Sequence, residues 1–420
     1  RMKKNNYLEQ LGKKAVVASN AIVHLTEIRK NKVLKDYIIE IKKNKKKILK
    51  ANELDIKNAK IKKIKANIIE RSILNNDRIE SIIQSIKEVI KLKDPTNKII
   101  SSTKRPNGLV IQKITMPIGV IGVIYEARPN VTADVSILCF KSGNCAILRG
   151  GTEAFYSNTI LCNLFRTILK KNKIKPDCIQ LINKTNRDYV DYLLSNMRSY
   201  IDVIVPRGGK SLVKKVLDLY KVPVIGHLEG LCHIYVDAKA SLEMSRKVVF
   251  NAKLRRTSIC GAVETLLIHK KVVGTHLLPI LNLLHKSGCK IIGDKMVKKH
   301  FAKASLAKEM DWKTEYLDSI ISVKVVDSID EAISHIRKYG TNHTESIITN
   351  SKQNAQKFLN EITSSIVMHN TSTQFADGYE FGLGAEVGIS TNKLHPRGPV
   401  GLGQLVSYKY EIVSNGKTRK

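Results

Sequence analysis

Residues 251–268 read NAKLRRTSICGAVETLLI. This pattern predicts the end of a helix, a short polar and basic turn, and then a buried strand, because the last residues are apolar and partly β-branched. Cys260 therefore lies on a loop, and Lys253, Arg255 and Arg256 lie within seven residues of it. Positive potential lowers the pKa of a thiol, so the turn predicts a reactive cysteine. The alternative is a small apolar residue beside a strand.

Upstream of this turn, apolar strands alternate with helices. The predicted strands are 120–125, 145–148, 178–182, 201–205 and 222–225, and the predicted helices are 131–141, 153–171, 187–196 and 211–220. Apolar strands separated by helices are typical of a parallel, doubly wound sheet, whose ligands bind at the carboxyl ends of the strands.

The same alternation surrounds the cysteine turn itself. The predicted strands of this second unit are 233–236, 263–268, 320–326, 345–349 and 365–369, and the helices are 240–254, 272–286, 330–338 and 352–361. In residues 1–102, apolar positions recur at helical spacing among lysines, which predicts helices. A strand-like segment at 108–115 suits a hairpin apart from the main sheet, and a final strand at 405–413 is expected to pair with it or with another subunit.

Glycines follow two strands of the first unit. Arg149 precedes Gly150 and Gly151, and the later strand runs into Pro206, Arg207, Gly208 and Gly209. Glycines that lead into a helix, with a basic residue alongside, form an anion site from backbone N–H groups. Double glycines also occur in plain turns, and the sequence has no G-x-G-x-x-G motif.

Residues 371–399 are dense in Gly, Ser, Thr and Asn but contain Phe375, Phe381, Leu383 and Leu394. An ordered loop of this composition is more often functional than incidental. We expect residues 375–399 to lie over the cysteine turn and to close the site against water, with Arg397 reaching an anionic group.

Composition limits the class of protein. The chain has 420 residues, 43% hydrophobic residues and a formal charge of +35. No apolar run approaches the roughly 18 residues of a membrane span, and residues 1–10 lack the apolar core of a signal peptide, so a cytoplasmic protein is expected. The seven cysteines form no C-x-x-C pair, which predicts reduced thiols and no zinc site. The lysines are spread along helices with few aromatic residues, which disfavours a nucleic-acid role.

Several segments together resemble the γ-glutamyl phosphate reductase family of the aldehyde dehydrogenase superfamily. The most specific is 326–347, and the others are 122–130, 206–209, 232–235, 381–391 and 395–399. Residues 226–230 resemble the reductase half of the fused pyrroline-5-carboxylate synthases. The resemblance covers nearly the whole chain.

The resemblance implies an α/β, aldehyde dehydrogenase-like fold with two doubly wound domains and a small β oligomerisation element. Residues 1–102 and 117–228 would form the cofactor-binding domain and residues 229–370 the catalytic domain. Residues 103–116 and 400–420 would form the oligomerisation element, and residues 371–399 an ordered loop near the active site.

The resemblance also implies the reaction. NADPH would reduce L-glutamyl 5-phosphate to glutamate 5-semialdehyde, with release of phosphate, as the second step of proline synthesis. Thiolate attack by Cys260 on the acyl phosphate gives a thioester, which accepts a hydride and then releases the aldehyde. Phosphate is expected to leave with little acid help. The expected partners are the substrate, supplied by a glutamate 5-kinase, and further copies of the chain; no nucleic acid and no membrane are expected.

Individual roles follow from the matched positions. Asn130 is expected to hold the oxyanion, to cap a helix, or both. Arg149 and the glycine motifs Gly150–Gly151 and Pro206–Gly209 would bind the cofactor, Arg149 being otherwise a solvated arginine. Glu315 would contact the nicotinamide ribose, with Asp318 or a plain helix face as alternatives.

Arg128, Arg256 and Arg397 are candidates for the phosphate and carboxylates of the substrate, or are ordinary surface charges. His233 and His343 are expected to be structural.

Two residues beside the cysteine depart from the family pattern. Thr257 stands where proline is usual and Gly261 where asparagine is usual. The first loosens the turn, and the second removes an amide that would help to hold the substrate oxygen. The competing predictions are another thioester-forming reductase with a different acyl phosphate or acyl-CoA, and a basic nucleic-acid-binding protein.

Overall fold

The computed structural model describes residues 5–219 and 221–419, with the backbone alone at Asn67. The α-helices of these residues are α1 Asn6–Ile22, α2 Glu27–Lys43, α3 Lys45–Ile61, α4 Ala66–Ser72, α5 Asn76–Lys91, α6 Asn130–Lys141, α7 Phe155–Lys171, α8 Asp188–Asn196, α9 Lys210–Leu219, α10 Leu242–Leu254, α11 Leu278–Lys286, α12 Lys295–His300, α13 Ile329–Tyr339 and α14 Lys352–Glu361.

The strands of the same residues are β1 Ile99–Lys104, β2 Val110–Pro117, β3 Val120–Tyr125, β4 Cys145–Gly150, β5 Ile179–Leu181, β6 Val203–Arg207, β7 Cys232–Val236, β8 Val263–His269, β9 Lys290–Gly293, β10 Ser305–Leu306, β11 Ile320–Val326, β12 Thr344–Ile348, β13 Ile366–His369, β14 Gly388–Ser390, β15 Gly398–Val400 and β16 Val406–Val413.

The chain divides into two compact units. Unit 1 comprises residues 1–226, 382–388 and 400–420, and unit 2 comprises residues 227–381 and 389–399. Residues 1–4, Tyr220 and Lys420, which fall within predicted segments, lie outside the described residues.

Unit 1 is built on a four-stranded parallel sheet in the order β5-β4-β3-β6. Strands β3 and β4 are buried along their whole length, which explains their apolar sequences. Helices α1, α2, α5, α6 and α7 contribute buried residues to the same apolar core. Residues 222–225, predicted as a strand, make a single bridge between Val224 and Ile204.

Unit 1 also contains a three-stranded antiparallel sheet in the order β1-β2-β16. The predicted pairing of the last strand with the 108–115 segment is therefore confirmed. Strand β1 was not predicted, because residues 99–104 are exposed and lie at the end of a helical pattern. Ile99, Ile100, Tyr410, Ile412 and Val413 leave more than half of their surface exposed on this sheet.

Unit 2 is built on a seven-stranded sheet in the order β10-β9-β11-β8-β7-β12-β13, with every pair parallel. The sequence missed β9 and β10, which are only four and two residues long. The predicted helix 272–286 is interrupted, since a π-helical turn at Val273–Leu277 precedes α11. Two parallel sheets with helices between their strands confirm the predicted α/β, doubly wound fold.

A search of the described residues finds no helix with the length and apolar character that crossing a membrane requires.

Candidate active site

The cysteine turn connects α10 to β8. Helix α10 begins after Ser241, whose hydroxyl accepts a hydrogen bond from the Met244 N–H at 3.4 Å. After the helix ends, the Ala262 N–H donates to the Ile259 carbonyl at 3.0 Å and closes the turn. Strand β8 then enters the middle of the sheet with every residue buried. Cys260 is half-buried and lies just before the amino end of this strand.

Two histidines lie on loops that precede the neighbouring strands. His227 precedes β7, and His343 directly precedes β12, while β8, β7 and β12 are consecutive in the sheet. Because these strands are parallel, the loops before them meet at the same edge. The carboxyl-end expectation concerned the strands of unit 1; in unit 2, Cys260 and the two histidines lie at the amino edge of the sheet.

Cys260, His227 and His343 form one cluster. The Cys260 Sγ and one ring nitrogen of each histidine all lie within 4.8 Å of one another. The two imidazole rings meet edge to face, with centroids 4.8 Å apart and an angle of 79°. Sequence reasoning missed the role of His227 and expected His343 to be structural, since their only sequence signal is a position before an apolar strand.

Each imidazole is oriented by its Nδ1 atom. His227 Nδ1 lies 2.6 Å from the Ile389 carbonyl oxygen. A carbonyl can only accept, so Nδ1 of His227 carries a proton and Nε2 is left for Cys260. His343 Nδ1 lies 2.9 Å from the Thr344 hydroxyl and 3.6 Å from the Cys232 Sγ. His343 Nε2 is buried without a hydrogen bond.

The cluster favours a thiolate beside an imidazolium. Burial alone would raise the pKa of Cys260, but the charges of His343 and His227 outweigh burial and hold that pKa well below its ordinary value. Burial lowers the pKa of His227, whereas the charge of Cys260 and the Ile389 carbonyl raise it to about 9 overall. The other cysteines with a shifted pKa, Cys139, Cys145, Cys162, Cys178, Cys232 and Cys289, are shifted upward, mainly by burial.

The lowered pKa of Cys260 was predicted, but its source was not. Lys253 forms a buried ion pair with Glu264 at 2.6 Å, and Arg255 donates to the Gln374 side chain at 3.0 Å. Lys253 is thus directed to a carboxylate across the turn, and its charge is largely compensated. Three cations are close to the cysteine along the chain, whereas the fold places two histidines from distant segments against it.

Glu315 contacts the cysteine turn through Gly230. Its Oε1 accepts the Gly230 N–H at 2.9 Å. Gly230 packs so closely on the turn that an added Cβ would lie 2.5 Å from the Cys260 Cβ and 2.8 Å from the Cys260 Cα. Burial and the charge of Cys260 raise the pKa of Glu315. Asp318, the alternative to Glu315, accepts from the Ser319 N–H at 2.7 Å.

The beginning of the tail packs on the same turn. Gln374 donates from Nε2 to the carbonyls of Ala252 and Arg256, at 2.9 and 3.0 Å. Cys260 packs against Ile366, Met368, Ala376 and Ile389. A Cβ added at Gly261 would lie 3.1 Å from the Thr373 carbonyl oxygen, so the glycine suits this close approach.

The rest of the tail is divided between the units, because residues 382–388 belong to unit 1 and residues 389–399 to unit 2. Arg397 donates to the Thr363 carbonyl, and its Nε is buried without a partner. Arg256 is exposed beside the cysteine turn.

The predicted cofactor residues meet at the carboxyl edge of the unit 1 sheet. Tyr125, at the end of β3, is paired with Gly150 on β4 and with Arg207 on β6. Beyond these ends, the Glu126 carboxylate accepts the Gly209 N–H at 2.8 Å. The N-terminus of α9 therefore already faces an anion, which fits the predicted preference of this loop for negative charge.

Arg149 is buried, so the alternative of a solvated arginine is wrong. Its guanidinium donates to the carbonyls of Gly150 and Thr185, its Nε has no partner, and burial lowers its pKa. Arg207 pairs with Glu386 at 3.4 Å.

Asn130 is the first residue of α6, and the capping position before it is held by Pro129. The alternative of a helix cap at Asn130 is therefore wrong. The Asn130 amide instead donates to Asp134 at 2.9 Å. Arg128 is half-buried in the same loop, where Ala127 has a positive φ of 42°.

Solved structures with the same fold define the class. An acetylating aldehyde dehydrogenase from Geobacillus thermoglucosidasius superposes with a TM-score of 0.71 at 14% identity, covering 99% of this chain and 98% of that one. A glyceraldehyde-3-phosphate dehydrogenase from Methanocaldococcus jannaschii, solved in complex with NADP, superposes with a TM-score of 0.69 at 16% identity, covering 97% of this chain and 94% of that one. The fold is that of the aldehyde dehydrogenases.

Closer relatives define the family. A γ-glutamyl phosphate reductase from Brucella suis is 46% identical over 412 residues, which is 98% of each chain. The crystal structure of a γ-glutamyl phosphate reductase from Thermotoga maritima superposes with a TM-score of 0.95 at 41% identity, covering 98% of this chain and 100% of that one. A comparison with protein-family models finds no match. The chain belongs to the γ-glutamyl phosphate reductase family, which makes it an oxidoreductase of the glutamate-5-semialdehyde dehydrogenase type.

Proposed function

We propose that this enzyme uses NADPH to reduce L-glutamyl 5-phosphate to glutamate 5-semialdehyde and phosphate, through a thioester on Cys260. The observation that carries the proposal is the cluster at the amino edge of unit 2, where Cys260 faces His227 and His343 within 4.8 Å. A thiolate held in this way attacks an acyl phosphate at neutral pH, whereas an ordinary thiol is mostly protonated there. In proline synthesis this reaction is the second step.

Support for the thioester comes from the surroundings of the cysteine. A hydrolytic aldehyde dehydrogenase needs a carboxylate base to activate water, whereas Glu264 is paired with Lys253 and Glu315 holds the Gly230 N–H beside the turn. The apolar contacts of Cys260 with Ile366, Met368, Ala376 and Ile389 reduce the access of water. A thioester at this position would therefore survive long enough to be reduced.

The cofactor is proposed to bind unit 1. The unpartnered, buried Nε of Arg149 fits a phosphorylated cofactor because it offers a cation. The carboxylates of Glu153 and Glu126, which pack on Gly151 and Gly208, occupy the places that an anionic cofactor would take. Gly150, Gly151, Pro206, Arg207, Gly208 and Gly209 would line this site. The bound nicotinamide supplies the hydride.

Several finer assignments remain proposals. Arg128, Arg256 and Arg397 are proposed to bind the anionic groups of the substrate, Asn130 to hold the oxyanion and Glu315 to contact the nicotinamide ribose. For Glu315, its hydrogen bond to Gly230 supports a role in positioning the cysteine as well. A cytoplasmic location, a homo-oligomer formed through the β1-β2-β16 sheet and supply of the substrate by a glutamate 5-kinase are proposed with them.

The decisive assay follows NADPH oxidation with glutamyl phosphate generated in situ. Parallel reactions contain NADH in place of NADPH, or acetyl phosphate and acetyl-CoA as other acyl donors. We expect glutamyl phosphate with NADPH to give the highest kcat/KM. Preferred use of an acyl-CoA would instead assign the enzyme to another thioester-forming reductase.

A further inference from the structure

The proposed reaction consumes one proton, and the structure offers a specific source for it. An acyl phosphate carries two negative charges at neutral pH, and its cleavage by a thiolate without a proton would release the phosphate trianion, a strong base and a poor leaving group. Release as the hydrogen phosphate dianion needs a proton on the bridging oxygen as the C–O bond breaks.

We propose that His227 is the general acid that protonates the departing phosphate, an assignment that rests on the proposed function. Cys260 Sγ forms the bond to the carbonyl carbon, the bond from that carbon to the bridging oxygen breaks, and the proton on His227 Nε2 moves to this oxygen. The products of the step are the thioester, hydrogen phosphate and a neutral imidazole. Water returns a proton to His227 later in the cycle.

Three geometric observations support His227, and the first and third of them distinguish it from His343. His227 Nδ1 donates to the Ile389 carbonyl at 2.6 Å, which fixes the ring and leaves Nε2 directed to the reacting sulfur. One ring nitrogen of His227 lies within 4.8 Å of Cys260 Sγ, so this imidazole can reach a group that is bonded to the sulfur. His227 is half-buried, so solvent can return the proton.

His343 is placed differently. It has no exposed surface, and its Nδ1 lies 2.9 Å from the Thr344 hydroxyl and 3.6 Å from Cys232 Sγ, whose own S–H donates to the Cys260 carbonyl at 3.1 Å. These surroundings suit an imidazole that supports the thiolate, but not one that exchanges protons with water in each turnover. His343 is therefore a matched control, since it contacts the same cysteine without the proposed role.

The charge state of His227 agrees with this role. Its pKa is raised to about 9, so the imidazolium is the main form at neutral pH. The titratable groups that face it are Cys260 before β8, His343 before β12 and Glu315 before β11, while Glu229 and Cys232 follow on its own segment. The proposal thus differs from the expectation that phosphate leaves with little acid help.

The test compares two acyl donors for Cys260. Glutamyl phosphate needs a proton on its leaving group, whereas a 4-nitrophenyl ester of the same glutamyl group releases a weakly basic nitrophenolate. Acylation rates are normalised to the rate of alkylation by iodoacetamide, which reports the thiolate fraction in each variant. For His227→Gln we expect kcat/KM with the phosphate to fall about a hundredfold or more, and acylation by the ester to change less than about fivefold. For His343→Gln we expect both donors to be affected by the same factor.

The wild-type pH profile provides a test that needs no variant. As the pH rises through about 9, His227 loses its proton, so acylation by the phosphate should decline while acylation by the ester does not. Equal losses with both donors in His227→Gln, a selective loss in His343→Gln, or parallel pH profiles would overturn the assignment. Failure of the wild type to use glutamyl phosphate at all would instead overturn the proposed function.

Discussion

The two units carry their proposed sites at different edges of their parallel sheets. In unit 1, the glycine and arginine motifs lie at the ends of β4 and β6 or just beyond them, at the carboxyl edge. In unit 2, His227, Cys260 and His343 precede β7, β8 and β12 and lie at the amino edge. The carboxyl edge offers glycine turns and helix N-termini, which suit an anionic cofactor. The amino edge instead brings together three loops, and the side chains of Cys260 and His227 on them shift each other's pKa values.

This difference shows that a parallel sheet does not by itself fix where chemistry occurs. The reactive thiol requires partners from distant segments, and the start of a strand positions such partners as rigidly as its end does. Substitutions at one edge should therefore affect one set of functions and spare the other.

Replacing the nucleophile should have the largest effect. Cys260→Ser is expected to lower kcat at least about a thousandfold, because a serine hydroxyl stays protonated where the thiol is ionised. The assay is NADPH oxidation with glutamyl phosphate, and NADPH binding followed by fluorescence should be retained. Cys289→Ala, which removes a buried thiol, should remain within about twofold of wild type. Retention by Cys260→Ser of more than about a hundredth of the activity, or 2.7 kcal/mol in barrier terms, would exclude Cys260 from the mechanism.

A substitution at Gly230, which packs against Cys260, should lower kcat almost as strongly. In Gly230→Ala, the new Cβ would clash with the backbone and Cβ of Cys260 and displace the turn. We expect kcat to fall about a hundredfold, since misplacing a nucleophile by about 1 Å costs this much. Gly274→Ala is the matched control, because nothing lies within 4 Å of its added Cβ. Steady-state kinetics and thermal melts of both variants separate a local effect from unfolding; a fully active Gly230→Ala enzyme would contradict the described packing.

The ionisation of the cysteine can be measured without substrate. Since the pKa of Cys260 is held well below its ordinary value, the rate of inactivation by iodoacetamide should stay high at pH 7, where an ordinary thiol reacts about 25-fold more slowly than at pH 9. Loss of a neighbouring imidazole in His343→Gln should raise the thiol pKa and move the rate profile to higher pH. Identical profiles for wild type and His343→Gln would mean that His227 stabilises the thiolate without His343.

A substitution of Arg149 tests the proposed cofactor site at the carboxyl edge of unit 1. Arg149→Lys removes the planar guanidinium that spans the Gly150 and Thr185 carbonyls and leaves the charge in place. We expect the KM for NADPH to rise about tenfold, with a change of less than about twofold in the KM for glutamyl phosphate. Equal changes in both KM values would indicate a general loss of structure and remove the support for a cofactor site at this edge.

The smallest effect on kcat is expected from a substitution in the three-stranded sheet. Ile412→Asp places a charge on an exposed apolar face that is proposed to bind another copy of the chain. Light scattering coupled to size-exclusion chromatography should show a smaller assembly, while kcat stays within about threefold of wild type. An unchanged assembly would mean that the subunits associate through another surface.

Much of the molecule was predictable from the sequence because it depends on local patterns. The apolar runs of β3, β4 and β8 predicted buried parallel strands, and the glycine motifs after β4 and β6 predicted the carboxyl edge of unit 1. The short strands β9 and β10 were missed, since four and two residues carry too little periodicity to be recognised. The exposed strand β1 was missed for a related reason, because its pattern is set by its neighbour β2 rather than by a buried face.

The sequence by itself determined the α/β class, the turn that carries Cys260 and the resemblance to a family. Only the tertiary structure decided which groups control the thiol. Lys253 is close to Cys260 in the chain but is paired with Glu264. His227 and His343 are 33 and 83 residues away from Cys260, yet each has a ring nitrogen within 4.8 Å of its Sγ. The reason is physical: a pKa depends on distance and burial in space, and the parallel order β8-β7-β12 brings together three loops that the sequence keeps far apart.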